Sequence, residues 1–204
     1  ELDATRDYRL RLSVWRTGEL GYAPEPRAGV EWDVTATPIV GIGYPVPVLR
    51  PELGLFQDHR KSAGILSNVK TSSAVLYVLA AGFAREQRVE EVLILNHENQ
   101  VLEASKSNVM LVQGEEIITP PLSAGALRGV MREVVLGLAP SLGLQVREEV
   151  FSPFALQSAD EVWLTNAVHG VAAVRKFRKT EYSSNRAEAM QKLVIERAHL
   201  AQFQ

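Results

Sequence analysis

Apolar positions switch along the chain between a two-residue and a helical period, and the switches outline its elements. Arg9 to Trp15 reads Arg-Leu-Arg-Leu-Ser-Val-Trp, a period-two run with one apolar face, and Val30 to Val40 supplies a second strand. Gly18, Gly21, Pro24 and Pro26 mark a turn between them. From Val40 to Pro51, three prolines (Pro45, Pro47 and Pro51) obstruct ladder pairing, so this stretch reads as a linker. Residues 1–50 are therefore expected to form a β-rich piece with its linker, and residues 51–204 a larger domain.

Leu66 to Ala81 places Lys70 between a short extended approach and a strongly apolar run. The helix is expected to reach about Gln87, with Ala74, Val75, Val78, Leu79 and Phe83 on one face. Val92–Asn96 and Val101–Ala104 follow as strands around a turn at Glu98-Asn99, then Val109–Val112 and Ile117–Thr119 around Gln113-Gly114. Gly129–Leu142 reads as a helix ended by Gly143, Val146–Val150 as a strand, Ser152-Pro153 as a helix start and Glu161–Leu164 as another strand. Arg186–Phe203 closes the chain as an amphipathic helix. The order is α+β, without internal repeats.

Composition narrows the chemistry. The 204 residues are 46% hydrophobic and 23% charged, enough for a real core. No window has the roughly eighteen continuous apolar residues of a membrane span. The first residues lack signal-peptide features, and a cytoplasmic protein is expected. Zero cysteines exclude disulfides, thiolate metal sites and a cysteine nucleophile. A net charge of -2 with interspersed signs gives no case for nucleic acid, leaving a small-molecule partner. The four histidines are scattered, and no metal is expected. Phosphate-loop, H-E-x-x-H and G-x-S-x-G patterns are missing. Lys70 is the candidate reactive centre: beside an apolar segment a lysine loses hydration, which favours the neutral amine that attacks a carbonyl. A solvated lysine at a helix start is the alternative.

Three spaced elements resemble the fold type IV family of pyridoxal phosphate (PLP) enzymes, which contains D-amino-acid and branched-chain aminotransferases and 4-amino-4-deoxychorismate lyases. They are Val69-Lys70-Thr71, Leu102-Glu103-Ala104-Ser105-Lys106-Ser107-Asn108-Val109, and Thr119-Pro120-Pro121 with Leu127-Arg128-Gly129-Val130-Met131-Arg132. The resemblance implies that Lys70, on a strand leading into an apolar helix, is the Schiff-base lysine and later the proton-moving amine. It implies that Glu103, spaced from Asn108 as in the family, accepts from the pyridine nitrogen, and that Leu127 packs on the ring. Gly129, Val130 and Met131 would bind the phosphate through backbone amides at a helix start.

Other features favour the lyase branch. Val75 stands where branched-chain members have tyrosine, with Tyr77 two positions late. Thr165-Asn166-Ala167 is similar to the lyases' Asn-Ala, making Asn166 and Ala167 candidate phosphate contacts. Val14–Gly18 with Gly21-Tyr22 is similar to the lyases' turn, making Arg16 and Tyr22 candidate substrate contacts. An aminotransferase and a non-catalytic cofactor-binding homologue stay open as alternatives. Family members begin with a longer stretch, so the resemblance implies a large domain preceded by a partial small one, in a homodimer.

Overall fold

Strands that read as unbroken apolar runs do so because both their faces are covered. In the computed structural model, which describes residues 3, 6–18, 23, 26–39 and 43–201 with side chains as far as residue 198, the chain divides into two compact units, Glu1–Gly43 and Tyr44–Gln204. The first is an antiparallel hairpin of β1 (Tyr8–Arg16) and β2 (Val30–Pro38), with Leu12 opposite Val34 and Val14 opposite Trp32. Alternation sorts Leu10, Leu12, Val14, Trp32 and Val34 onto one face and Arg9, Arg11, Asp33 and Thr35 onto the other. The expected turn residues Gly21, Tyr22 and Pro24, and Val40 to Ile42 of the expected linker, lie outside the described residues, as does Phe203.

The second unit is built from two five-stranded sheets. One has the order β12-β11-β3-β4-β5, using β3 (Glu52–Leu55), β4 (Glu91–Leu95), β5 (Val101–Ala104), β11 (Lys176–Phe177) and β12 (Thr180–Glu181). The other has the order β10-β9-β6-β7-β8, using β6 (Asn108–Gln113), β7 (Glu116–Thr119), β8 (Gln145–Glu148), β9 (Glu161–Asn166) and β10 (Gly170–Ala173). Alternation fixes the layers. Leu93 and Leu95 of β4 meet Val109, Leu111, Val162 and Leu164 in the core between the sheets. Val92 and Ile94 face helix α1 (Val75–Gln87), while Met110, Val112 and Trp163 face helices α2 (Val130–Leu138) and α3 (Asn185–Ala201). The order is helix, sheet, sheet, helices.

The hairpin turns form where expected, with Asn99 and Gly114 at positive φ and Gly143 ending the turn of 3-10 helix that continues α2. Two expectations are corrected. Lys70 lies not on a strand but in an irregular segment, and the helix after it begins only at Val75. The face expected to pack, with Val75, Val78 and Leu79, is exposed at 70%, 68% and 53%. Of the expected face Phe83 does pack, beside Leu76, Tyr77, Ala80 and Ala84, because α1 is apolar nearly all round and the sheet chooses the side. The short strands β3, β10, β11 and β12 are additions to the expected elements.

Buried polar groups lock the α3 side of the sheet. Glu161 is 1% exposed and accepts from Trp163 Nε1, Ser183 Oγ and the amides of Arg186 and Ala187 at 2.8–3.0 Å, so one carboxylate joins β9 to the start of α3. Removing it leaves several donors unmet. Glu161→Ala should cost about 2–5 kcal/mol in urea unfolding, with Glu161→Gln costing less; an alanine variant as stable as the parent would show that water satisfies those donors.

Candidate active site

Glu103 stands opposite Ile94 in the β4–β5 ladder, on the side that α1 covers, and is 2% exposed. A carboxylate so far from water must be hydrogen-bonded or paired. Its Oε1 accepts from Lys61 Nζ at 2.7 Å and from the Tyr77 hydroxyl at 2.6 Å, and its Oε2 accepts from the Leu127 amide at 2.8 Å. Burial, and then the charge of Glu103 and the hydrogen bond to it, push the Tyr77 hydroxyl well above the ordinary tyrosine range. Tyr77 therefore stays a donor.

Leu127 passes the connection on. Its carbonyl accepts from Asn108 Nδ2 at 2.8 Å. Asn108 Oδ1 sits so close to Gly129 that a Cβ built there would lie 2.0 Å from it, so glycine alone fits. Gly129 is the extended residue before α2, whose N-terminus has no side-chain cap. The first amides of a helix have no partners inside it, and the dipole makes that end attractive to anions. Val130 turns its side chain outward, 75% exposed, and Met131 buries its own in the core, so both are present at the helix start as backbone. Arg132, 1% exposed, anchors this end through Pro120 O at 3.2 Å and Glu148 Oε2 at 2.6 Å.

Across the ladder from Asn108 stands Thr165, whose buried Oγ1 has no hydrogen-bond partner among the described residues. An orphaned hydroxyl across the ladder from the residue that packs on Gly129 leaves a donor for an oxyanion, such as a phosphate. One residue on, Asn166 donates to Ser107 Oγ at 3.0 Å, which donates to Glu91 Oε1 at 2.8 Å, and Asn166 Oδ1 accepts the amides of Val168 and His169. Ala167 is exposed in that turn.

The segment that leads to Lys70 is tied to the same turn through Asn68, two residues earlier. Asn68 donates to Leu122 O and Ala126 O at 2.8 and 2.6 Å, and its carbonyl accepts from the Arg128 amide at 3.1 Å. This ties the approach to Lys70 to the residue before Gly129. The Lys70 side chain is exposed and makes no hydrogen bond or ion pair with another described residue. The lysine withdrawn from water is Lys61, 10% exposed in its ion pair with Glu103. Arg16 is the exposed last residue of β1, in the first unit, and Tyr22 lies outside the described residues. Lys61 carries no sequence signal of its own, and Ser107 and Thr165 lie within the recognised stretches without being marked out there as site residues. Tyr77 had a signal, a tyrosine two positions from the place expected of it.

Chemically, the set offers an anion-binding helix start, a buried carboxylate to accept from a cationic ring nitrogen, and an exposed amine on a segment tied between them. No group of three or more acidic, histidine or cysteine side chains suited to a metal occurs among the described residues, and no described helix is long and apolar enough to cross a membrane.

The family model described as amino-transferase class IV matches residues 1–177. A probable branched-chain-amino-acid aminotransferase of Thermotoga maritima is 41% identical over 101 residues, 48% of this chain and 37% of that protein. An aminodeoxychorismate lyase of Vibrio harveyi is 31% identical over 162 residues, 77% of this chain and 58% of that protein. The chain thus spans well under two thirds of either relative. The crystal structure of an aminotransferase from Brucella abortus bound to PLP superimposes with a TM-score of 0.78 at 22% identity, over 96% of this chain and 71% of that one.

Burial pushes the Glu91 carboxyl above its ordinary 4.5, against the pull of hydrogen bonds from Ser107 and the Lys106 amide and of the Lys106 charge. A carboxyl raised by folding contributes stability that is fully present below its unfolded pKa and is lost as pH rises through the folded one. Relative to Glu91→Gln, the parent should therefore gain unfolding free energy between about pH 7 and about pH 4.5. A parent that loses ground over that range would contradict the burial assignment.

Proposed function

Because the chain belongs to the amino-transferase class IV family, whose cofactor is pyridoxal 5'-phosphate, we propose that it is the cofactor-holding part of an enzyme acting on an amino-bearing small molecule. Its fold is that of the fold type IV PLP enzymes. The finer reading is 4-amino-4-deoxychorismate lyase activity, releasing pyruvate and 4-aminobenzoate. One observation carries the cofactor reading: the Leu127 amide on Glu103, the Leu127 carbonyl on Asn108 and the Arg128 amide on Asn68 draw three distant motifs to one helix start.

When bound, the cofactor withdraws electrons from the substrate carbon that carries the nitrogen. Everything else falls to the chain. The α2 amides of Val130 and Met131, with Gly129 allowing close approach, bind the phosphate, and the orphaned Thr165 hydroxyl can donate to it. Asn108 and Asn166 hold the surrounding turns, with Ala167 beside them. Glu103 accepts from the ring nitrogen and keeps a positive charge there, and Leu127 packs on the ring. Lys70 supplies the covalent attachment and then, as a free amine, takes the proton from the substrate carbon. Arg16 and Tyr22 are proposed to meet the substrate carboxylates.

The lyase reading is supported by Asn166-Ala167 at the end of β9, by Val75 in place of tyrosine, and by a lyase likeness that runs over 77% of the chain. Transamination is the second reading, favoured by the 41% identity to the Thermotoga protein over a shorter span. A homodimer is proposed as well, since Val75, Val78 and Leu79 leave an apolar stripe exposed on α1.

Given 4-amino-4-deoxychorismate and PLP, the complete protein should release pyruvate, and Lys70→Ala should slow it by about 10²- to 10⁴-fold while the protein stays folded. The same preparation should sediment as a dimer; a monomer removes the homodimer proposal. Consumption of leucine or D-alanine that depends on 2-oxoglutarate, with no pyruvate from the chorismate, would move the assignment to an aminotransferase. Neither activity, with the cofactor bound, would leave a non-catalytic homologue.

A further inference from the structure

The two oxygens of Glu103 are used unequally. Oε1 accepts twice, from Lys61 Nζ at 2.7 Å and from the Tyr77 hydroxyl at 2.6 Å, whereas Oε2 accepts the Leu127 amide at 2.8 Å. Each carboxylate oxygen has two lone-pair directions, so Oε1 is filled and Oε2 keeps one free. We propose that Lys61 and Tyr77 are positioning residues that saturate Oε1 and lock the carboxylate, so that Oε2 receives the N–H of the cofactor's pyridine ring.

This rests on the cofactor reading above and adds to it the two residues that aim its carboxylate. Lys61 is held at both ends: its amide donates to Leu95 O at 2.9 Å, and its Nζ also donates to Ser67 O at 3.0 Å. The ammonium lies 5.6 Å from the centre of the Tyr77 ring, which favours keeping it there. An ammonium with two of its three N–H groups committed to Glu103 and Ser67 O, and its charge beside a ring face, is a fixed counter-charge and not an attacking group. Tyr77 reaches Oε1 from α1, and its raised hydroxyl pKa keeps it a donor throughout the physiological range. The carboxylate is gripped from α1, from the segment before it and from the Leu127 turn, so it cannot rotate to exchange its oxygens.

The test compares binding of PLP with that of 1-deazapyridoxal 5'-phosphate, which has C–H in place of the ring nitrogen, by equilibrium dialysis on the complete protein. The parent should prefer PLP by about 10- to 100-fold, the worth of one hydrogen bond to a charged group. In Lys61→Met and in Tyr77→Phe the affinity for PLP should fall while that for the analogue holds, so the preference shrinks; Lys61→Arg should restore it. A merely structural role would weaken both ligands alike. An undiminished preference in both variants overturns the proposal, as does tighter PLP binding by Lys61→Met, which would mean that the ammonium occupies the ring nitrogen's own place. A parent that binds both equally overturns it while leaving the cofactor reading intact, whereas a parent that binds neither overturns both. If Lys61→Met does not fold, Tyr77→Phe, which removes a single oxygen, decides alone.

Discussion

One buried carboxylate sets the terms for the site. Glu103 is 2% exposed, and its negative charge is tolerable because donors reach it from three directions: Lys61 ahead of α1, Tyr77 on α1, and the Leu127 amide from the turn before α2. Satisfying it obliges those segments to converge at the ends of β5 and β6. The same turn then meets Asn108 of β6 and leads through Gly129 to the start of α2, so the requirement of one charge also shapes the helix start at which a phosphate is proposed to bind. The loss of any donor would be felt beyond its own contact, because the remaining partners share the carboxylate.

The layer order explains what could be read from the chain. β4, β6 and β9 are apolar on both faces because each lies between a sheet and a helix layer, and runs such as Val92–Leu95 and Val109–Val112 declare this without a partner in view. Gly114 and Gly143 mark their turns through backbone conformation, a local property. β3, with four residues after Pro51, and β10, with the sequence Gly-Val-Ala-Ala, are strands because of their neighbours: Gly54 pairs with Val92 and Ala172 with Leu164. The packed face of α1 was equally out of reach. Thirteen largely apolar residues offer the sheet several sides, and the one chosen holds Tyr77, not Val75.

The site divides in the same way. Glu103, Asn108, Leu127 and Gly129 stand in recognisable spacing, and the structure joins them by hydrogen bonds. Lys61 is 42 residues from Glu103 and Tyr77 is 26 from it, so their pairing is a product of the fold with no local pattern to announce it. The sequence argued that Lys70 is the lysine that loses water beside an apolar run; in the fold that lysine is Lys61, and Lys70 is exposed. The difference gives the two lysines separate parts. Lys61 balances the charge of Glu103 and holds it still, and Lys70, free of partners among the described residues, is available to react.

That division can be put to a single measurement. The complete protein is incubated with PLP and reduced with borohydride, which makes the lysine attachment permanent, and the modified peptide is located by mass spectrometry. A pyridoxyl group on Lys70, with Lys61 unmodified, is the expected result; modification of Lys61 instead would contradict both the attachment site and the role of Lys61 as the fixed counter-charge of Glu103.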